Sequence, residues 1–152
     1  MTELHHYTLC GLDYVYLRNG YDLRETRHGP AIAIHDAVAL HQAIARAIIT
    51  NPQPLRGQEV RFLRSVLKLS QAGLARVLRN RRLTVARWEA APDTAIPGTA
   101  DAALRLFCSL KIDNHALAQQ ICDLLTEIDD LKHQMAVLEL RETERGWERE
   151  AA

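Results

Sequence analysis

Short apolar runs rich in β-forming side chains, separated by polar and glycine-containing breaks, fill the first 35 positions of the chain. Asn19-Gly20 stands between two of these runs and predicts a tight hairpin, because both residues tolerate a positive φ. A small N-terminal sheet is therefore expected, with strands at 7–12, 14–17, 21–25 and 31–34.

The pattern becomes helical after Asp36. Leu40, Ile44 and Ile48 recur at spacings of four, which places them on one face of a helix that Asp36 can cap and that runs to about Thr50. The following Asn-Pro-Gln-Pro segment stops this helix. Residues 1–50 are thus predicted to form a small α+β domain, followed by a linker at 51–56.

Residues 57–111 are predicted to form a helical domain. Ser70 can cap a short helix, and Arg79-Asn80 forms a turn in which Asn80 can take the left-handed conformation. The apolar spacing predicts helices at 58–67, 71–78, 82–89 and 99–110.

The last part, 112–152, carries seven apolar residues at alternating spacings of four and three. This heptad pattern predicts a long amphipathic helix that can form a coiled coil, and the charged end after Glu139 is expected to fray. An isolated helix would leave the stripe in water, so it is expected to pack on a second copy of the chain or on the N-terminal helix of the same chain. The predicted dimerisation residues are Leu117, Ile121, Leu124, Ile128, Leu131, Met135 and Leu138.

Together these elements predict a mainly α fold: a small N-terminal β-sheet plus helix, a central helix-rich domain and a long C-terminal helix. The composition is that of a globular protein, since 47% of the 152 residues are hydrophobic. No apolar run is long enough to span a membrane, and the N-terminus lacks the pattern of a signal peptide. The expected location is the cytoplasm, on the nucleoid, and three scattered cysteines argue against a disulfide framework.

The zero net charge hides a strong segregation of charge along the chain. Residues 1–50 carry four basic and five acidic side chains, residues 51–111 carry eleven and four, and residues 112–152 carry four and ten. The net charges are therefore −1, +7 and −6. Such segregation indicates parts with different partners, and the positive part suits an anionic one.

The most concentrated positive segment, residues 69–89, reads LSQAGLARVLRNRRLTVARWE. Two short helices joined by a tight turn are typical of a helix-turn-helix, whose second helix enters the major groove of DNA. Arginine suits guanine because its fork meets O6 and N7 together, and leucine can meet a thymine methyl group. The alternative is a solvated basic face on a helical bundle. Leu74, Val77, Leu78, Val85 and Trp88 are predicted to pack, and Arg81, Arg82, Leu83, Ala86 and Arg87 to lie on the other side.

The motifs L-S-Q-x-x-L-A and T-V-x-R-W-E within residues 57–110 resemble the Cro/repressor-type (XRE) helix-turn-helix family. The resemblance implies a five-helix domain that binds a palindromic operator as a dimer. It implies base contacts from Gln71 on the second helix and from Arg82, Leu83 and Arg87 on the third, and phosphate contacts from Ser70 and Arg81. The chain departs from the family pattern at Arg79, where a turn glycine is usual, and at Gly73 inside the second helix. The implied DNA-binding residues are Ser70, Gln71, Arg81, Arg82, Leu83, Thr84 and Arg87.

A wider similarity is to the MqsA-type antitoxins, which join a strand-rich N-terminal part to such a domain. Those proteins hold zinc with two C-x-x-C pairs, whereas this chain has only Cys10 in the corresponding part. A relative of that kind would have lost the metal, and the segment after Asp113 departs from that family altogether.

No other chemistry is indicated. A nucleophilic pair of a cysteine with a histidine is a remote alternative to a cysteine buried in a strand. Neither a P-loop nor a G-x-G-x-x-G motif occurs, so no nucleotide cofactor is expected. The residues that could ligate zinc in the N-terminal part are dispersed and lack the spacing of a metal site, namely His5, His6, Cys10, His28, His35 and His41.

These features predict an autoregulatory repressor that binds double-stranded DNA as a homodimer on an inverted-repeat operator. The first alternative is an antitoxin that binds a toxin protein, through its N-terminal part or its acidic tail, as well as DNA. The second is a protein-interaction module whose basic helix never touches DNA. No enzymatic activity, cofactor, metal or membrane partner is expected.

Overall fold

The computed structural model describes residues 3–112, 120–121 and 137–150. Within these ranges the protein has a mixed α/β fold with five helices and six strands in two sheets. The chain divides into two compact units, residues 1–43 with 135–152, and residues 44–134. The prediction of a mainly α fold with a long C-terminal helix is wrong, because the chain ends in strands.

Both sheets belong to the first unit, and their strands are β1 (His5–His6), β2 (Val15–Leu17), β3 (Tyr21–Thr26), β4 (Gly29–Ile34), β5 (Leu138–Thr143) and β6 (Gly146–Arg149). One sheet has the order β1-β2-β5-β6, and the other is the β3–β4 hairpin. Strands β2 and β5 run parallel, with Val15 opposite Leu138, while the outer pairs are antiparallel. The two ends of the chain therefore build one sheet.

Strand β5 corrects the prediction for the tail. Leu138 was expected to be the last core position of a helix, but it begins β5 and is 6% exposed. Leu138 and Leu140 are buried while Glu139 lies between them on the other face, which is the period of a strand. The segment after Glu139 pairs as the β5–β6 hairpin instead of fraying. Of the other predicted dimerisation residues, Ile121 is helical and fully buried, whereas Leu117, Leu124, Ile128, Leu131 and Met135 lie outside the described ranges.

Asn19-Gly20 does not form the predicted hairpin, since β2 lies between β1 and β5 and does not pair with β3. The Asn19 side chain binds β5, because its Oδ1 accepts a hydrogen bond from the Glu142 backbone N at 2.6 Å. Gly20 takes a φ of +80°, and a Cβ there would lie 2.2 Å from the ring of Trp147. The two residues therefore lead the chain from one sheet into the other.

The predicted strand at 7–12 is replaced by the two-residue β1 and a loop. Tyr7 and Leu12 are nevertheless buried, and the Tyr7 hydroxyl is hydrogen bonded to His41 Nε2 at 2.8 Å. These two residues are therefore buried in a loop and do not form a strand.

The helices are α1 (Ala37–Ile49), α2 (Gly57–Val66), α3 (Gln71–Val77), α4 (Arg82–Ala90) and α5 (Gly98–Ile112), all within two residues of the predicted bounds. Asp36 caps α1 as predicted, with its Oδ1 accepting from the Ala39 backbone N at 3.2 Å. Residues 57–111 contain four helices, α2 to α5, and not the five that the family resemblance implies. The apolar core of the second unit includes Ile44, Ile48, Val60, Phe62, Leu63, Leu74, Val85 and Leu104.

A buried ion pair on α5 fixes the segment between α1 and α2. Arg105 has no exposed surface, and its Nε donates to Asp101 Oδ1 at 2.5 Å. The two terminal nitrogens donate to the carbonyl groups of Asn51 and Gln53, at 2.6 and 2.5 Å. Asp101 accepts in turn from the Leu55 backbone N at 2.7 Å. The segment predicted to be a linker is thus hydrogen bonded to α5.

A charged cluster joins the hairpin to the larger sheet within the first unit. His35 follows β4, and its ring nitrogens lie 2.9 Å from Asp22 Oδ2 and 3.1 Å from Glu142 Oε2. Carboxylates only accept, so both ring nitrogens donate and the protonated imidazole is favoured. The hydrogen bond that His35 donates to Asp22, followed by the one that it donates to Glu142, raises the pKa of His35 above its ordinary value. The same bond with His35 lowers the pKa of Asp22.

We expect protonated His35 to stabilise the first unit. Because its pKa in the folded protein is raised, this contribution is complete below the ordinary value of 6.5 and is lost as the pH rises through the raised pKa. The lowered pKa of Asp22 means that its own contribution is lost only when the pH falls through that lowered value. An NMR titration should give a pKa for His35 above 6.5 that falls in Asp22→Asn. A value at or below 6.5 in the unmodified protein would contradict the cluster.

Candidate nucleic-acid interface

Helices α3 and α4 lie where the sequence predicts two short helices joined by a tight turn. Ser70 caps α3 as expected, because its Oγ accepts a hydrogen bond from the Gly73 backbone N at 2.9 Å. Leu74 and Val85 are fully buried, so the two helices pack on the predicted side. Val77 was predicted to pack as well, but it is 37% exposed.

The turn between the two helices is made by Arg79 and not by Asn80. Arg79 takes a φ of +57°, and the Asn80 backbone N then donates to the Ala75 carbonyl at 2.8 Å. This left-handed conformation costs a non-glycine residue about 1–2 kcal/mol. Arginine thus adopts the backbone conformation for which the XRE family usually has glycine at this position.

A close backbone contact sets the position of α4 against α2. A Cβ on Gly57, the first residue of α2, would lie 1.9 Å from the Trp88 carbonyl oxygen and 2.6 Å from that of Ala91. Glycine is required at position 57 because any side chain would overlap these backbone atoms. The same end of α2 is held by Glu59, whose Oε1 accepts from the backbone N and the Nε of Arg56, each at 3.0 Å.

Arg64 on α2 connects α2, α3 and α4. Its Nε and Nη2 donate to the two carboxylate oxygens of Glu89 on α4, both at 2.8 Å. Its Nη1 donates to the Leu69 carbonyl at 3.1 Å, just before α3. Sequence reasoning missed this role, although Glu89 is the only acid in the segment 69–89 and therefore marked a need for a partner.

The positive charge of residues 51–111 lies on the surface. Three of their four acids, Glu59, Glu89 and Asp101, have side chains that are no more than 6% exposed, and each binds an arginine. The fourth, Asp93, is exposed and lies 3.6 Å from Arg56 Nη1. The eight basic residues outside these three pairs are all exposed, namely Arg61, Lys68, Arg76, Arg79, Arg81, Arg82, Arg87 and Lys111.

The structure brings two of the predicted DNA-binding residues into direct contact. Arg82 Nη1 at the start of α4 donates to Gln71 Oε1 at the start of α3, over 3.3 Å. Leu83, the next residue, is 53% exposed although it is apolar. Ser70, Arg81 and Arg87 are also exposed, while Gln71 and Thr84 are half-buried.

The two thiols in the described part of the chain, Cys10 and Cys108, offer no activated nucleophile. Burial raises the pKa of Cys108 to about 12 and is the main cause that raises the pKa of Cys10, so both are protonated near neutral pH. Cys10 lies in a turn and not in the buried strand that the sequence suggested. Across residues 3–112, 120–121 and 137–150, no three His, Cys, Asp or Glu side chains are grouped to hold a metal ion.

Comparisons of the chain with models of protein families, with curated proteins and with solved structures each found no match. No helix in the described part of the chain has the length and apolar character needed to cross a membrane. The resemblance to the XRE family therefore rests on the motifs of α3 and α4 alone.

Replacing Gly57 by alanine should displace α2 from the end of α4 and destabilise the second unit by about 1–3 kcal/mol, because the clash is with backbone atoms. Gly98→Ala at the start of α5 is the control, since a Cβ there meets no atom within 4 Å. Denaturant unfolding followed by circular dichroism compares the two variants. Equal stability would show that the close contact between α2 and α4 is not required.

Proposed function

We propose that this protein is a sequence-specific DNA-binding transcriptional repressor that reads DNA with α3 and α4. The observation that carries the proposal is the hydrogen bond between Gln71 and Arg82, which joins the starts of the two helices on an exposed face. In a helix-turn-helix, the N-terminal residues of the second helix are those that meet base edges.

The surface charge supports binding to an anionic polymer. Phosphates supply most of the affinity of DNA-binding proteins, and each neutralised phosphate releases counterions. Because the acids of residues 51–111 lie in ion pairs, the exposed arginines face little competition from neighbouring carboxylates. Arg81 at the start of α4 and Ser70 at the cap of α3 are proposed to contact phosphates.

The exposed residues of α4 support base recognition. Arg82 and Arg87 each present a fork suited to guanine, and the exposed Leu83 suits a thymine methyl group. Thr84 is half-buried and can still offer its hydroxyl at the edge of this face.

We further propose that the protein acts as a homodimer on an inverted repeat near its own gene, on nucleoid DNA in the cytoplasm. A two-fold protein matches a two-fold operator, with half-sites about one helical turn apart. An additional antitoxin role stays a prediction, because no observation on the described residues identifies a surface for a toxin.

Arg87→Ala should weaken binding to an operator identified by in vitro selection by about 1–3 kcal/mol, because a bidentate contact to a base is lost. The measurement is a competition assay at fixed salt between operator and scrambled DNA. The control is Arg61→Ala, which removes the same charge from an exposed position on α2. It should weaken binding to both DNAs alike, if it weakens binding at all.

Undiminished operator preference in Arg87→Ala would eliminate the base-reading role of this arginine.

The salt dependence of DNA binding tests the proposal as a whole. Log K against log salt should fall with a slope of about −0.9 for each phosphate neutralised. A flat dependence would favour the alternative of a protein-interaction module that does not bind DNA.

A further inference from the structure

We infer that Gln71 is a positioning residue, which holds the Arg82 guanidinium so that its free edge faces a guanine, and that Gln71 does not itself select a base. The inference rests on the proposed function and specifies how one base pair of the operator is recognised. It differs from the expectation drawn from the XRE resemblance, in which Gln71 reads a base directly.

The chemistry of the contact assigns the atoms. A guanidinium can only donate, so the amide atom of Gln71 that faces Arg82 must be the oxygen. The bond uses Nη1 of Arg82 and leaves the edge formed by Nε and Nη2. Arg64 presents that same edge to the two oxygens of Glu89 elsewhere in this domain. Guanine O6 and N7 are a comparable pair of acceptors.

The backbones that carry the two side chains are held in place. Gln71 follows the cap made by Ser70, and the Leu69 carbonyl before it is bound by Arg64. Arg82 begins the helix that Arg64 and Glu89 tie to α2. The separation between the two side chains is therefore set by the fold, and only their rotamers can vary.

Holding Arg82 in advance favours specific binding. An exposed arginine samples many rotamers, and this freedom is lost when it binds a base. The bond to Gln71 restricts the guanidinium before DNA arrives, so less freedom remains to be lost. Direct adenine recognition by Gln71 would instead need its Oε1 for the adenine N6 group, and this is the atom that faces Arg82.

Two substitutions of Gln71 separate these models. Gln71→Glu keeps an acceptor for Arg82, whereas Gln71→Leu removes it at similar size. In vitro selection with the unmodified protein and with Arg82→Ala first identifies the guanine that depends on Arg82. The affinity ratio for guanine over adenine at that base pair is then measured for every variant. A general loss of folding would lower both affinities and leave this ratio unchanged.

Gln71→Leu should lower the guanine ratio about 5- to 10-fold, as expected when part of a bidentate discrimination is lost. Gln71→Glu should keep the ratio, while its overall affinity falls because the added negative charge repels phosphates. Gln42→Glu, at an exposed position on α1, adds the same charge as a control and should also keep the ratio. In an Arg82→Ala background, Gln71→Leu should cause no further change in the ratio.

The inference is overturned if Gln71→Leu leaves the guanine ratio unchanged, or if both Gln71 variants alter the preference at a different base pair. In those cases the protein still selects a DNA site, so the proposed function stands. Selection of no site by the unmodified protein would instead remove the proposed function together with the inference.

Discussion

The arrangement of the helical unit depends on the burial of one guanidinium. Arg105 has no exposed surface, so its donors must find acceptors inside the protein. They find Asp101 and the carbonyl groups at the end of α1 and in the segment that follows it. Removing one partner of such a pair would leave a buried charge without compensation, at a cost of about 3–5 kcal/mol. The path of the chain between α1 and α2 is thereby fixed by α5.

That path determines where α2 begins, and α2 determines where α4 lies. Asp101 accepts a hydrogen bond from the Leu55 backbone N. Leu55 lies two residues before Gly57, which contacts the end of α4 closely. Arg64 then holds α4 through Glu89 and the start of α3 through the Leu69 carbonyl. The backbone that carries the exposed arginines of α3 and α4 is thus held by charge pairs and by one glycine contact. Pre-organisation of this kind would reduce the conformational freedom that the proposed DNA binding has to restrict.

Local signals in the sequence predicted the helical unit well. Caps such as Ser70, and prolines such as those after Thr50, act within a few residues, so the helix bounds follow from them. The prediction for the C-terminal segment was wrong because Leu138 fits two patterns at once. It continues the heptad spacing from Leu117, and it also begins the alternation Leu138-Glu139-Leu140 of a strand. The choice is decided by pairing with β2, whose residues lie more than a hundred positions away and leave no local signal. The contact of Gln71 with Arg82 could not be predicted either, because it depends on how two helices pack.

The two regions of opposite charge have different physical origins. In residues 51–111 the four acids lie in ion pairs with arginines, and the other basic side chains are exposed at the surface. In the C-terminal strands the acids meet cations within the same unit: Glu139 binds Arg18, and Glu142 binds the His35 ring. The negative charge of these strands is partly neutralised by the sheet that they complete. Charge segregation along a sequence therefore suggests a partner only where folding leaves the charge exposed. For this reason the proposed DNA contact is assigned to the exposed arginines of α3 and α4.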